Sequence, residues 1–254
     1  MIRILAIGNS FSQDATAYLH QIAKAGGKDC MVVNLYIGGC SLKTHWNNIL
    51  SDAALYEYEL NGSFTGRMIS IKEALVQEPW DYITLQQVSG DSGIRDTYHP
   101  YITSVADYVR QYAPSAELLL HQTWAYETDS QHPDYINYNC DQNTMYQAII
   151  RTYKHLSEQL SLRVIPCGEV IQALRSRSSF DYGNDGISLC RDGFHMNLIY
   201  GRYALAATWY VFLFRDSLAA NSYLPPSEIS APVQRTQLET IKETVMNIVG
   251  IPWK

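Results

Sequence analysis

Five short, almost wholly apolar runs recur along this chain, at 2–7, 31–36, 80–87, 117–122 and 162–166, with helical periodicity between them. A strand that is apolar on both of its alternating faces must be buried on both. Such strands belong to a parallel sheet covered by helices on each side. The helices expected between and after the runs span 15–25, 42–50, 71–76, 101–112, 141–159, 169–175, 198–218 and 234–249. Gly26-Gly27 caps the first of them, and Pro114 marks the end of the one over 101–112. The segment 56–70 breaks the alternation: Asn61-Gly62 reads as the turn of a hairpin inserted between core elements. The expectation is an α/β fold with five parallel strands, in one domain over residues 1–254. Pro225-Pro226 then separates a docking helix rather than a second domain.

Composition narrows the function classes. A hydrophobic fraction of 46% with 17% charged residues is that of a soluble globular protein. The net charge of −6 and the lack of a basic run argue against nucleic acid and anionic membranes as partners. The most apolar stretch, 203–213, is too short to span a bilayer and lies between Arg202 and Arg215. No apolar segment of signal-peptide type opens the chain, which points to the cytoplasm. The five cysteines are odd in number and widely spaced, without a Cys-x-x-Cys pair, so free thiols in a reducing compartment are expected. No Cys/His cluster has the spacing of a zinc site, so no metal is expected.

The chemistry-bearing residues stand near the two ends. The first strand breaks at Gly8-Asn9-Ser10-Phe11-Ser12, which puts Ser10 at the carboxyl edge of the sheet, where open α/β sheets bind ligands. Ser10 there is a nucleophile candidate. The bland reading is that Ser10 or Ser12 caps the next helix. A serine needs a base and something to orient that base. Arg191-Asp192-Gly193-Phe194-His195 offers both on one turn: His195 as base and Asp192 as its orienting carboxylate. An oxyanion needs fixed donors. The Ser10 and Gly39 amides are candidates, with a side-chain amide from the end of the third strand, Gln87 first and Gln86 second. Gln86 is also a candidate substrate contact. Trp124 and Tyr126 read either as a substrate-stacking wall or as a hydrophobic plug over the sheet edge. His121 reads either as a cleft residue or as a satisfied histidine of the sheet edge.

Together these blocks resemble the SGNH (GDSL-like) hydrolase superfamily. Gly8-Asn9-Ser10-Phe11-Ser12 matches its first block, the region 34–41 with Ile37-Gly38-Gly39 its second, and Asp192-Gly193-Phe194-His195 its last. The third block departs from the pattern: Leu85-Gln86-Gln87-Val88-Ser89-Gly90-Asp91 carries no asparagine. The stretches 80–93 and 123–126 look like those of a subgroup widespread in gut bacteria. The resemblance implies a flavodoxin-like three-layer α/β/α sandwich of strand order 2-1-3-4-5. It implies hydrolysis of carboxylic esters, often acetyl groups on carbohydrates, with no metal and no cofactor. The family's nucleophile falls on Ser10, its oxyanion glycine on Gly39, its base on His195 and its orienting acid on Asp192. The expected activity is therefore that of a serine esterase acting on a small-molecule or glycan ester. The altered third block keeps a second reading open, a non-catalytic carbohydrate-binding protein on the same fold. A nucleotide-binding flavodoxin-like protein ranks last, because the first loop has neither Gly-x-Gly-x-x-Gly nor a P-loop pattern.

Overall fold

A computed structural model describes residues 1–226 and 233–252. Its elements are, in chain order, β1 (Ile2–Ile7), α1 (Ser10–Thr16), α2 (Leu19–Ala25), β2 (Cys30–Tyr36), α3 (Leu42–Leu50), β3 (Tyr56–Leu60), β4 (Ser63–Ile69), α4 (Ile71–Gln77), β5 (Tyr82–Leu85), α5 (Tyr101–Tyr112), β6 (Glu117–His121), α6 (Gln142–Leu160), β7 (Arg163–Ile165), α7 (Cys167–Arg175), α8 (Tyr200–Phe214) and α9 (Arg235–Val249). The sheet has the order β4-β3-β2-β1-β5-β6-β7.

The five apolar runs do pair in parallel, with β1 between β2 and β5, then β6 and β7 outward. Their order is the 2-1-3-4-5 that the resemblance implies, but the sheet does not stop at five strands. The hairpin joins it: β3 pairs antiparallel with β2 and β4 with β3, giving seven strands. The Asn61-Gly62 turn has both residues at positive φ, +53° and +83°, as a two-residue hairpin turn of the sheet's own twist requires. A polar network explains why the hairpin docks on β2 rather than standing free. Asn34 Nδ2 of β2 donates to Glu59 Oε2 of β3 at 2.7 Å, Gln13 of α1 donates to Glu59 Oε1, and Ser12 Oγ donates to Asn34 Oδ1 at 2.6 Å. Burial pushes the Glu59 carboxyl pKa up, and the Asn34 and Gln13 amides pull against that shift.

Two further expectations need correction. The third parallel strand is four residues long, Tyr82–Leu85, not eight. Gln86 and Gln87 lie beyond its end, where their side chains bond to Asn9 and His121 and to Leu42 and Thr97, respectively. The first helix is two helices, broken at Ala17 and Tyr18, and it starts at Ser10 itself. Helices α1, α2, α7, α8 and α9 pack together over one face, and α3, α4 and α5 pack together over the other. Helix α8 is buried nearly all round, consistent with its apolar sequence. Among the described residues no helix is long and apolar enough to cross a membrane. The loops after β1, β2, β5 and β6 leave the sheet at its carboxyl edge, and the site is built there.

Candidate active site

Neither serine of the first block caps α1 in the expected way. Asn9 is the N-cap, and its Oδ1 accepts from the Phe11 amide at 3.0 Å. Ser12 Oγ turns back to the Asn9 amide, completing a capping box. Ser10, the first helical residue, is thereby left with no capping duty, and its hydroxyl is free to meet another group. Asn9 is itself held from both sides. Its Nδ2 donates to the Cys40 carbonyl at 3.0 Å, and Gln86 Nε2 donates to its Oδ1 at 2.7 Å. Gln86 Oε1 in turn lies 2.7 Å from His121 Nδ1. An amide oxygen can only accept, so the His121 proton sits on Nδ1 and the chain runs His121 to Gln86 to Asn9 in one direction. His121 is fully buried, and desolvation pushes its pKa down to about 3, so the ring is neutral.

Ser10 Oγ lies 2.9 Å from His195 Nε2, and His195 Nδ1 lies 2.7 Å from Asp192 Oδ2. The other Asp192 oxygen accepts from the His195 amide at 2.8 Å and the Phe194 amide at 3.2 Å, which shapes the turn. Burial pushes the Asp192 carboxyl up, but the His195 ring and the two amides outweigh it, so its pKa falls below the usual carboxylate range. The carboxylate stays ionised near neutral pH and fixes a proton on Nδ1. Nε2 is then the basic nitrogen that faces the serine.

Sequence reasoning missed the group that brings these two ends together. Asp14 lies one turn after Ser10 on α1 and is completely buried. Arg191 Nη1 reaches both of its oxygens at 3.0 Å, Arg202 Nε reaches Oδ1 at 2.8 Å, and the Met196 amide donates to Oδ2 at 2.9 Å. Arg191 also donates to the Met196 carbonyl. One carboxylate thus ties the serine helix to both flanks of His195. The signal in the sequence is thin: an acid four residues after Ser10, and an arginine beside Asp192.

The pocket over Ser10 encloses about 180 Å³, and Gly38, Gly39, Ser89 and His132 line it together with Ser10 and His195. Gly39 takes φ +63°, which favours glycine, and among the described residues neither its N–H nor that of Ser10 has a hydrogen-bond partner. Both residues line the pocket, and N–H groups without a partner are what a developing oxyanion needs. Gln87 is not a third donor. Its Oε1 accepts from the Leu42 and Val88 amides at 2.9 Å each, and its Nε2 donates to Thr97. Every polar atom of that side chain ties the end of β5 to neighbouring loops. Gln86 is not a substrate contact either, since it is buried behind Asn9.

Trp124 and Tyr126 form a plug, not a stacking wall, because both are fully buried. Trp124 stacks on Phe11 with ring centroids 4.0 Å apart and donates its indole N–H to the Phe194 carbonyl at 2.8 Å. Tyr126 OH lies 2.8 Å from Ser89 Oγ. These aromatics support the residues on either side of Ser10 and His195 from below. Among the described residues no group of three or more His, Cys, Asp or Glu side chains is placed to hold a metal ion, and Cys30, Cys40, Cys140, Cys167 and Cys190 are free thiols.

Comparison with known proteins follows the same lines. No curated protein matches the chain. Residues 3–240 match the model of a domain of unknown function, DUF4886. A DUF4886 family protein from Bacteroides uniformis has a structure similar to this one, with 36% sequence identity, a TM-score of 0.89, and coverage of 100% of this chain and 96% of that one. A protein from Slackia heliotrinireducens described as an SGNH hydrolase is 18% identical with a TM-score of 0.54, over 82% of this chain and 97% of that one. An acetylxylan esterase from Geobacillus stearothermophilus is 14% identical with a TM-score of 0.52, over 89% and 97%. The chain belongs to the DUF4886 family, and its fold is that of the SGNH (GDSL-like) hydrolases.

Proposed function

We propose that this protein is a serine ester hydrolase that removes short acyl groups, acetyl first among them, from carbohydrate esters. The observation that carries the reading is the unbroken relay from Asp192 through His195 to Ser10, with spacings of 2.7 and 2.9 Å. Both fall within the reach needed for proton transfer.

The chemistry balances with the chain's own groups. Ser10 Oγ attacks the ester carbonyl carbon as its proton passes to His195 Nε2. The carbonyl oxygen takes up the negative charge and is met by the Ser10 and Gly39 N–H groups. Asp192 stabilises the imidazolium without accepting its proton. Collapse breaks the bond to the alcohol oxygen, which leaves with the proton from His195. Water then adds to the acyl-enzyme by the same path, with His195 as base, and releases the acid and Ser10. A pocket of about 180 Å³ suits a small acyl group. The carbohydrate half of the reading is supported by the acetylxylan esterase that shares the fold.

Ser10→Ala tests it. Hydrolysis of 4-nitrophenyl acetate is expected to fall by about 10⁴-fold or more, with the thermal transition kept. Undiminished turnover in that variant overturns the reading. So does a wild type that cleaves no ester in a broad panel yet binds glycans.

A further inference from the structure

His132 lines the same pocket as Ser10 and His195, yet no step above uses it. Its position is built into the fold. Glu127 N donates to the Gly193 carbonyl at 2.7 Å. Gly193 takes φ +86°, and a Cβ there would stand only 2.9 Å from Ser130 Cα. The segment that carries His132 is therefore seated directly on the turn that carries His195. The imidazole packs against Tyr126, with centroids 4.8 Å apart, and edge-on to Phe194 at 4.6 Å. Phe194 in turn lies 4.2 Å from the His195 ring.

The proton on this ring is placed by the backbone. Nδ1 accepts from the Asp134 amide at 3.2 Å, at the head of the turn Pro133–Tyr138. The Asp134 carboxylate stands off at 3.9 Å, beyond hydrogen-bond reach. With Nδ1 accepting, the neutral ring carries its proton on Nε2. Burial pulls the His132 pKa down. Asp134 and Asp192 act upward and His195 acts downward, and the result is below the ordinary histidine value. His132 is thus an uncharged donor near neutral pH.

The direction of the chemistry says what it meets. His195 must hand its proton to the departing alcohol, so the alcohol lies on the His195 side of Ser10, and the carbonyl oxygen lies toward Gly39. His132, joined to His195 through Phe194, is on the alcohol side. We propose that His132 Nε2–H donates a hydrogen bond to an uncharged oxygen of the alcohol, a hydroxyl or ether oxygen near the acylated one, and so selects polyhydroxylated alcohols such as sugars. The assignment rests on the esterase reading.

The test compares kcat/KM for an O-acetylated xylo-oligosaccharide with that for 4-nitrophenyl acetate, whose alcohol offers no such oxygen. In His132→Phe, which keeps an aromatic ring but no donor, the sugar-to-aryl ratio is expected to fall roughly five- to tenfold, the effect of one hydrogen bond. His132→Asn can both accept from the Asp134 amide and donate into the pocket, so it is expected to recover most of that ratio. A ratio unmoved in both variants, with Ser10 still labelled by a fluorophosphonate, overturns the role of His132 alone. A wild type that cleaves neither ester and whose Ser10 takes no fluorophosphonate overturns the esterase reading, and this assignment with it.

Discussion

The two walls of the pocket are held by different means. The serine wall is sealed. Ser10 starts the helix that follows β1, and the Asn9, Gln86 and His121 side chains behind it are each no more than 1% exposed and hydrogen-bonded to one another. The histidine wall is remote and open. The His195 and Asp192 side chains are 21% and 42% exposed, and the turn that carries them is anchored by Asp14, 177 residues from Arg191 in the chain. In the proposed reaction, the wall that has to admit alcohol and water is the one left accessible. Its aim at Ser10 is set from the other wall, through one buried carboxylate. Damage to the serine wall should therefore act mainly on stability, whereas damage at Asp14 should act on stability and alignment together.

Asp14→Asn gives the largest effect on this comparison. It leaves Arg191 and Arg202 without their shared anion, and removing one partner of a buried ion pair costs about 3–5 kcal/mol. Denaturant unfolding measures that loss. kcat for an aryl acetate should fall as well, because His195 is released from register with Ser10. Full kcat in a folded Asp14→Asn protein would break the idea that Asp14 aligns the two walls. Gln86→Met is the matching change in the serine wall. It strips the partner from His121 Nδ1 and one donor from Asn9, a cost of about 1–3 kcal/mol. Here kcat should change much less than stability, since Asn9 keeps its bonds to Phe11 and Cys40. A loss of kcat as large as that of Asp14→Asn would erase the distinction.

How much of this was legible in the sequence follows from how local each feature is. The parallel strands were readable because burial on both faces leaves an uninterrupted apolar run. Ser10 at the sheet edge and the Asp192–His195 turn were readable because each depends on residues within a few positions. The hairpin was readable as a hairpin from Asn61-Gly62, but not as part of the sheet. Its buried Glu59 looks like a surface residue until Asn34 and Gln13 are brought to it. The extent of β5 was misread because Gln86 and Gln87 look strand-like, while their amides serve partners as far as 77 residues away. Trp124 and Tyr126 look like a binding wall for the same reason: what covers them, Phe11 and Phe194, is distant in the chain. Asp14 offered only its place four residues after Ser10, and His132 carried no local pattern at all.

The smallest expected effect concerns how dry the serine wall is. His121 in that wall and His45 beneath Cys40 and Tyr56 are both fully buried, and desolvation pushes each pKa from the ordinary value near 6.5 to about 3. Between those limits the unfolded chain holds a proton on each ring that the folded chain lacks. Stability therefore rises with pH across that window, is fully present above about 6.5, and is lost as the solution is acidified. Each ring contributes a slope of at most about 1.4 kcal/mol per pH unit. In His121→Gln one of these two protons disappears from the balance. The variant's stability, followed by urea unfolding between about pH 6 and 4.5, should then depend on pH less steeply than the wild type's by about that amount. Parallel curves for the two proteins would mean that water reaches His121, and the serine wall would then be no drier than the wall that faces it.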